Sequence, residues 1–276
     1  MTDSPTASPT PAVHTERLDG VLVATLARPP VNALDDALVD ALDAAIDQAC
    51  ADTTVKVLHL RSTHKVFCAG ADLALMQRSI SSDEGLQAML ALVRRMQRVA
   101  ARLESAPVVT LAELGGAALG GGFEMALGCD LRIAACEARL GLPEAGLGLL
   151  AAAGGTQRLT RLVGPGLARR LILGAEVVDG RTALELGLVQ WAVPRAELGD
   201  AARALAQRIA ALPRQALAAA KPCIAAAVAA SADGFELELA HTRELYRHPD
   251  TRARVTAFLA RDARTSPPSP SKESTS

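Results

Sequence analysis

Aromatic side chains are scarce in this chain of 276 residues, which holds four Phe, one Tyr and one Trp. Single-stranded nucleic acid is gripped by stacking bases on aromatic platforms, so that class of partner is disfavoured. Charge of one sign is also missing. The formal net charge is -1, with acids and bases scattered along the chain, which leaves no electrostatic footprint for nucleic acid or an anionic membrane. The five cysteines (Cys50, Cys68, Cys129, Cys136, Cys223) are odd in number and lack CxxC spacing. They read as reduced, mostly buried thiols rather than a disulfide framework. The five histidines (His14, His59, His64, His241, His248) show no HExxH or comparable spacing, and no metal site is read. No apolar run is long and unbroken enough to span a bilayer, since Lys221 and Pro222 interrupt the Ala-rich stretch 216–230. Residues 1–11 have neither the basic start nor the apolar segment of a signal peptide. A soluble, cytoplasmic protein with no membrane partner is expected.

Half of the residues are hydrophobic, which suffices for a substantial core built from Ala, Leu, Val and Ile. Residues 13–18 and 21–26 read as strands flanking Asp19-Gly20, a pair that favours a tight hairpin turn. Apolar residues at helical spacing follow at 36–49, then a strand at 55–60 and a loop at 67–72 entering a helix. A long amphipathic helix is predicted at 86–103 and strands at 108–111 and 131–134, with a short extended piece at 139–140. Strand–helix alternation to about residue 145 argues for an α/β core with parallel strands and right-handed crossovers. The remainder reads as successive helices at 156–163, 166–173, 180–186, 196–212, 214–230, 235–246 and 251–263, with one strand at 189–193. The predicted organisation is a disordered tail (1–11), an α/β core (12–195), a helical region (196–264) and a disordered Ser/Pro/Lys-rich tail (265–276).

The most informative stretch is Gly120-Gly121-Gly122-Phe123-Glu124, read as the start of a helix over 118–128. Glycines leave the amides of a helix N-terminus unshielded, and those orphan donors favour negative charge. Glu124 lies about one turn from Gly121. Glu144, twenty positions on and held by Pro143, can face it. An anion hole flanked by two carboxylates is equipment for moving protons beside a carbonyl.

Five ordered pieces resemble the crotonase, or enoyl-CoA hydratase/isomerase, superfamily. They are Arg28-Pro29-Pro30-Val31-Asn32-Ala33-Leu34, Phe67-Cys68-Ala69-Gly70-Ala71-Asp72-Leu73, Leu119-Gly120-Gly121-Gly122-Phe123-Glu124-Met125-Ala126-Leu127-Gly128-Cys129-Asp130, Pro143-Glu144 and Gly154-Gly155-Thr156-Gln157-Arg158-Leu159. The match extends over roughly residues 13 to 263. It implies a spiral of ββα units, a C-terminal helical trimerisation region, a homotrimer or dimer of trimers, and acyl-CoA thioester substrates. It implies no metal or redox cofactor, CoA arriving as part of the substrate. The thioester oxygen would be held by the amides of Ala71 and Gly121. The residues themselves point to Gly121 independently. They leave Ala71 open, because the loop before Asp72 equally suits a turn with Asp72 as an N-cap.

By resemblance to hydratases, which carry two glutamates, Glu124 is the base on a water attacking C3 and Glu144 the acid that protonates C2. Isomerase chemistry, with Glu144 as a single base, and a non-catalytic acyl-CoA-binding scaffold are the alternatives. The implied substrate-binding positions are Ala69, Gly70, Asp72, Leu73 and Gly120 around the hole and Ala152 at the water. Asn32 and Ala33 shape a loop near the nucleotide, or form an ordinary strand-to-helix turn. Phe258 and Arg261 would reach a neighbour's CoA, or Arg261 would be a surface arginine. Asp72 and Asp130, read on their own, are caps or structural acceptors. The chain departs from the hydratase pattern at Ala151-Ala152, where Pro-Gly is usual, at Gly115 in place of asparagine, at 252–255, which lacks Glu-Gly, and at Arg261, where lysine is usual.

Overall fold

The hairpin forms where Asp19-Gly20 predicts it. Asp19 and Gly20 both take positive φ (45° and 82°), and β1 (Val13–Leu18) pairs antiparallel with β2 (Val21–Leu26). The structure, a computed structural model, describes residues 11–79, 81–228, 244, 248–251 and 253–254. The chain divides into two compact units, 1–221 and 222–276, and the first carries the elements that matter below. Phe258 and Arg261 lie outside the described residues, as do most of the helices expected after residue 230.

After the hairpin the chain runs through α1 (Asp36–Ala51), β3 (Val57–Ser62), α2 (Leu73–Ser79), α3 (Asp83–Ser105) and β4 (Val109–Leu114). It continues through β5 (Ala118–Leu119), α4 (Gly121–Leu127), β6 (Leu131–Ala135), β7 (Arg139–Gly141), a 3-10 turn (Pro143–Leu147) and α5 (Gly155–Leu173). Then come β8 (Val177–Asp179), α6 (Gly180–Glu185), β9 (Trp191–Val193), α7 (Leu198–Ala210) and α8 (Arg214–Ala226). Six strands form one sheet in the order β1-β2-β3-β4-β6-β9, parallel from β2 onward. A second sheet, β5-β7-β8, takes the short strand that follows each long one: β5 after β4, β7 after β6. Successive strand–strand–helix turns therefore put one strand in each sheet, the mixed α/β spiral expected.

All six residues of β4 are buried, so both faces of the main sheet are covered, as parallel sheets require. Phe67 and Phe123 are the largest fully buried side chains in a core otherwise built from aliphatic residues. Helix α3 begins three residues before the expected start because Ser82 caps it, its hydroxyl accepting from Gly85 N–H at 3.0 Å. The strand expected at 55–60 is shifted to Val57–Ser62. The helices expected at 156–163 and 166–173 are one run broken at Gly164-Pro165.

The helix expected over 118–128 is corrected by the structure. Ala118–Leu119 is strand β5, and the helix starts only at Gly121. Gly120 stands between them at φ 52°, ψ -128°, which a side chain rarely adopts, and its N–H donates to Gly141 O at 3.0 Å. This sharp strand-to-helix turn exposes the end of α4 to the site.

Candidate active site

Two backbone amides stand free at the mouth of α4. Leu34 bridges the 67–72 loop through Leu34 N–H to Gly70 O (2.8 Å) and Asp72 N–H to Leu34 O (3.0 Å). That pairing uses the residues on either side of Ala71 and leaves the Ala71 amide over. The Gly121 amide opens α4. Neither amide has an acceptor among the described residues. Gly70, at φ 99°, brings the two backbones together: a Cβ on it would lie 3.2 Å from Leu119 O and 3.8 Å from Gly121 N. A Cβ on Gly121 would strike Met96 Cε at 2.6 Å and Leu34 Cδ1 at 2.8 Å. The same Gly121, with Leu34, Met96, Val99 and Met125, lines an apolar cleft between α1, α3 and α4.

Glu124 is 3% exposed, in the first turn of α4 and aimed at the start of α5. The Gly155 N–H donates to its Oε1 at 2.7 Å. Gly155 must be glycine for this approach, since a Cβ there would sit 2.8 Å from that oxygen. Burial pushes the Glu124 carboxyl up to about 7 against the pull of the Gly155 and Ala153 amides, and the nearby Glu144 pushes the same way. Glu144 is half-buried at the 3-10 turn, with Pro143 at its head. Its carboxylate lies against Gly120, where a Cβ would be 2.9 Å from Oε1, and its buried Oε2 has no hydrogen-bond partner among the described residues. Desolvation raises Glu144 as well. Two carboxyls with raised affinity for protons thus flank one helix mouth, and their mutual repulsion disfavours ionising both.

The remaining expected positions divide into two kinds. Gly70 and Gly120 border the free amides. Ala69 is exposed, its N–H donating to Val31 O at 3.1 Å, and Leu73 begins α2. Ala152 is half-buried, and its carbonyl accepts from Gln97 Nε2 at 2.7 Å. Asn32 is wholly enclosed. Its Nδ2 donates to Ser62 Oγ (2.8 Å) and Phe67 O (2.9 Å), and its Oδ1 accepts from Arg28 N–H (2.9 Å). Its side chain shapes the loop and has no face toward solvent. Ala33 offers its carbonyl to Arg28 Nη1 at 3.1 Å. Asp72 caps α2 by accepting from Ala74 N–H (2.9 Å), and the Arg28 guanidinium at 2.9 Å holds its carboxyl below the usual range. Asp130 accepts from Thr110 and Lys221 within the fold.

Sequence reasoning assigned nothing to Ala153 or Gly155 as amide donors, nor to Gln97 and Arg158 behind them. A signal existed for Arg158: a cation in the first turn of α5 opposes the helix dipole and needs a local partner.

The family model for enoyl-CoA hydratase/isomerase matches residues 16–264. The chain belongs to this family. Among its relatives, a probable enoyl-CoA hydratase of Bacillus subtilis is 37% identical over 241 residues, covering 87% of this chain and 92% of that protein. The human mitochondrial methylglutaconyl-CoA hydratase is 37% identical over 172 residues, covering 62% and 49%. The solved structure of Pseudomonas aeruginosa DspI superposes with a TM-score of 0.85 at 34% identity, covering 94% of this chain and 98% of that one. Enoyl-CoA hydratase from Bacillus anthracis gives 0.83 at 31% identity, covering 91% and 96%. These matches identify the spiral as the crotonase fold. Among the described residues no helix is long and apolar enough to cross a membrane.

Proposed function

We propose that the chain is an enoyl-CoA hydratase, adding water across the 2,3-trans double bond of an acyl-CoA thioester to give the 3-hydroxyacyl-CoA. The observation that carries this reading is the pairing of Glu124 and Glu144, both with raised proton affinity, on either side of two unused amides. The Ala71 and Gly121 amides receive the thioester oxygen. Charge accumulates on that oxygen as C3 is attacked, so donors aimed at it lower the barrier more than they tighten substrate binding. Glu124, ionised, takes a proton from water as its oxygen bonds to C3. Glu144, protonated, delivers a proton to C2 of the enolate. One proton shared between two carboxyls satisfies both roles near neutral pH. The α5 N-terminus stabilises the ionised Glu124 through Gly155.

Loss of the conjugated thioester absorbance of crotonyl-CoA tests the proposal. Turnover is expected for the native chain, with a drop of at least roughly 100-fold in kcat for both Glu124→Gln and Glu144→Gln. If Glu124→Gln instead retains the ability to conjugate a 3-enoyl-CoA while Glu144→Gln does not, the single-base isomerase replaces the hydratase.

A further inference from the structure

Arg158 sits in the first turn of α5, where the dipole disfavours a cation, and is nevertheless held almost out of solvent, with 10% side-chain exposure. Two contacts hold it there. Its Nη1 donates to Ala153 O at 3.2 Å and its Nη2 to Glu104 Oε2 of α3 at 2.9 Å. Gly154 has given up a side chain to make room, since a Cβ there would fall 2.0 Å from Nη1. Gly154 is also at φ 109°, which turns the chain so that the Gly155 amide reaches Glu124. The guanidinium therefore lies beneath the loop whose Gly155 N–H meets the Glu124 carboxylate.

We propose that Arg158 is a positioning residue for Glu124, fixing the 153–155 loop against that carboxylate and supplying the cation that acts on it. The inference rests on Glu124 being the base of the hydration. The charged groups bearing on Glu124 are Glu144 from the 3-10 turn and Arg158 from α5, with Glu104 of α3 behind Arg158. The two immediate groups oppose one another: Glu144 favours the proton and Arg158 favours its release. Arginine suits the place because its planar fork reaches a carbonyl and a carboxylate at once, while the charge that acts on Glu124 is one that lysine also carries.

Titration of the Glu124 carboxyl decides the matter without reference to turnover. The chain is labelled with carboxyl-13C glutamate, and the Glu124 resonance is assigned by its loss in Glu124→Gln. Relative to the native chain, Arg158→Met is expected to move the midpoint upward, toward the value that burial alone would impose. Arg158→Gln, which keeps a donor for Ala153 O without the charge, guards against a misfolded Met variant and should move it the same way. Arg158→Lys should restore most of the shift. The acid limb of kcat/KM for crotonyl-CoA should follow these midpoints. The proposal is overturned if the neutral variants, folded by circular dichroism, titrate Glu124 at the native midpoint, or if Arg158→Lys shifts it as far as Arg158→Met. Full hydration by Glu124→Gln would instead remove the reading of Glu124 as base, while the titration would still report what Arg158 does to that carboxyl.

Discussion

Burial of Glu124 raises its carboxyl from 4.5 to about 7, so across that window the folded chain keeps a proton that the unfolded chain has released. Stability therefore falls as pH rises from 4.5 to 7 and levels off above. The full cost is roughly 3 kcal/mol at 1.36 kcal/mol per pH unit. Glu124→Gln, which still offers an oxygen to Gly155 N–H, should be more stable than the native chain at pH 8.5 by up to about that amount. At pH 4 the two should unfold at similar urea concentrations. A variant less stable at both pH values would mean that Glu124 braces the α4–α5 junction more than it strains it. Gly121 makes the opposite demand. A Cβ there clashes only with the ends of Met96 and Leu34, flexible side chains that can shift for about 1–3 kcal/mol, and lies in ordinary contact with Gly70 Cα at 4.0 Å. The same Cβ crowds the free amide, so Gly121→Ala should lose roughly 100-fold in kcat/KM while still unfolding cooperatively. Legibility at this scale follows chemistry. A glycine run ahead of a glutamate announces Gly121 and Glu124 directly, whereas nothing in the side chain of Ala71 says that its backbone donor is unused. That donor is free because Leu34 bonds its two neighbours, a long-range pairing hidden in local pattern.

The elements around the cleft are held by unequal forces. Arg95 bridges Asp36 and Asp40 of α1, and one turn pair later Arg102 bridges Asp43 and Asp47, a ladder between α3 and α1. These pairs are substantially exposed, and screened surface pairs contribute about 0–1 kcal/mol each. Beneath them Leu103 of α3 is fully buried. Arg102→Gln should therefore cost less than about 1 kcal/mol, and still less in 1 M salt, whereas Leu103→Ala should cost about 2–5 kcal/mol. Urea unfolding at two salt concentrations separates them. Comparable losses for both would make the ladder, not the apolar layer, the fastening of α1 to α3. Amphipathic periodicity was enough to find α1 and α3 from sequence, because their buried positions repeat at helical spacing. It was not enough at residue 118, where Ala118-Leu119 looks like helix and becomes strand. There Gly120 turns the chain and β7 supplies the partner, so a nonlocal strand overrides local propensity.

Across the first unit, Lys221 of α8 ties that helix back toward the sheet. Lys221 Nζ donates to Leu103 O (3.2 Å), Val108 O (3.0 Å) and Asp130 Oδ2 (2.7 Å), joining α8 to the end of α3, the start of β4 and the α4–β6 junction. Asp130 in turn accepts from the amide and hydroxyl of Thr110 at 2.8 and 3.0 Å. Desolvation raises the Asp130 carboxyl even with Lys221 beside it, so the half-buried carboxylate depends on its partners to stay ionised. Removing one member of such a cluster leaves the other charge without compensation, a larger loss than the pair's own net contribution. Lys221→Met, which keeps the apolar stem, should thus destabilise the chain by about 3 kcal/mol, and Lys221→Met with Asp130→Asn should recover part of it. Chemical denaturation of the two single variants and the double variant measures the coupling. Additive losses would show that Lys221 acts mainly through the two carbonyls it caps. Strong coupling would make this half-buried cluster, which ties Lys221 of α8 to Asp130 at the junction where the chain leaves α4, part of what holds that helix in place.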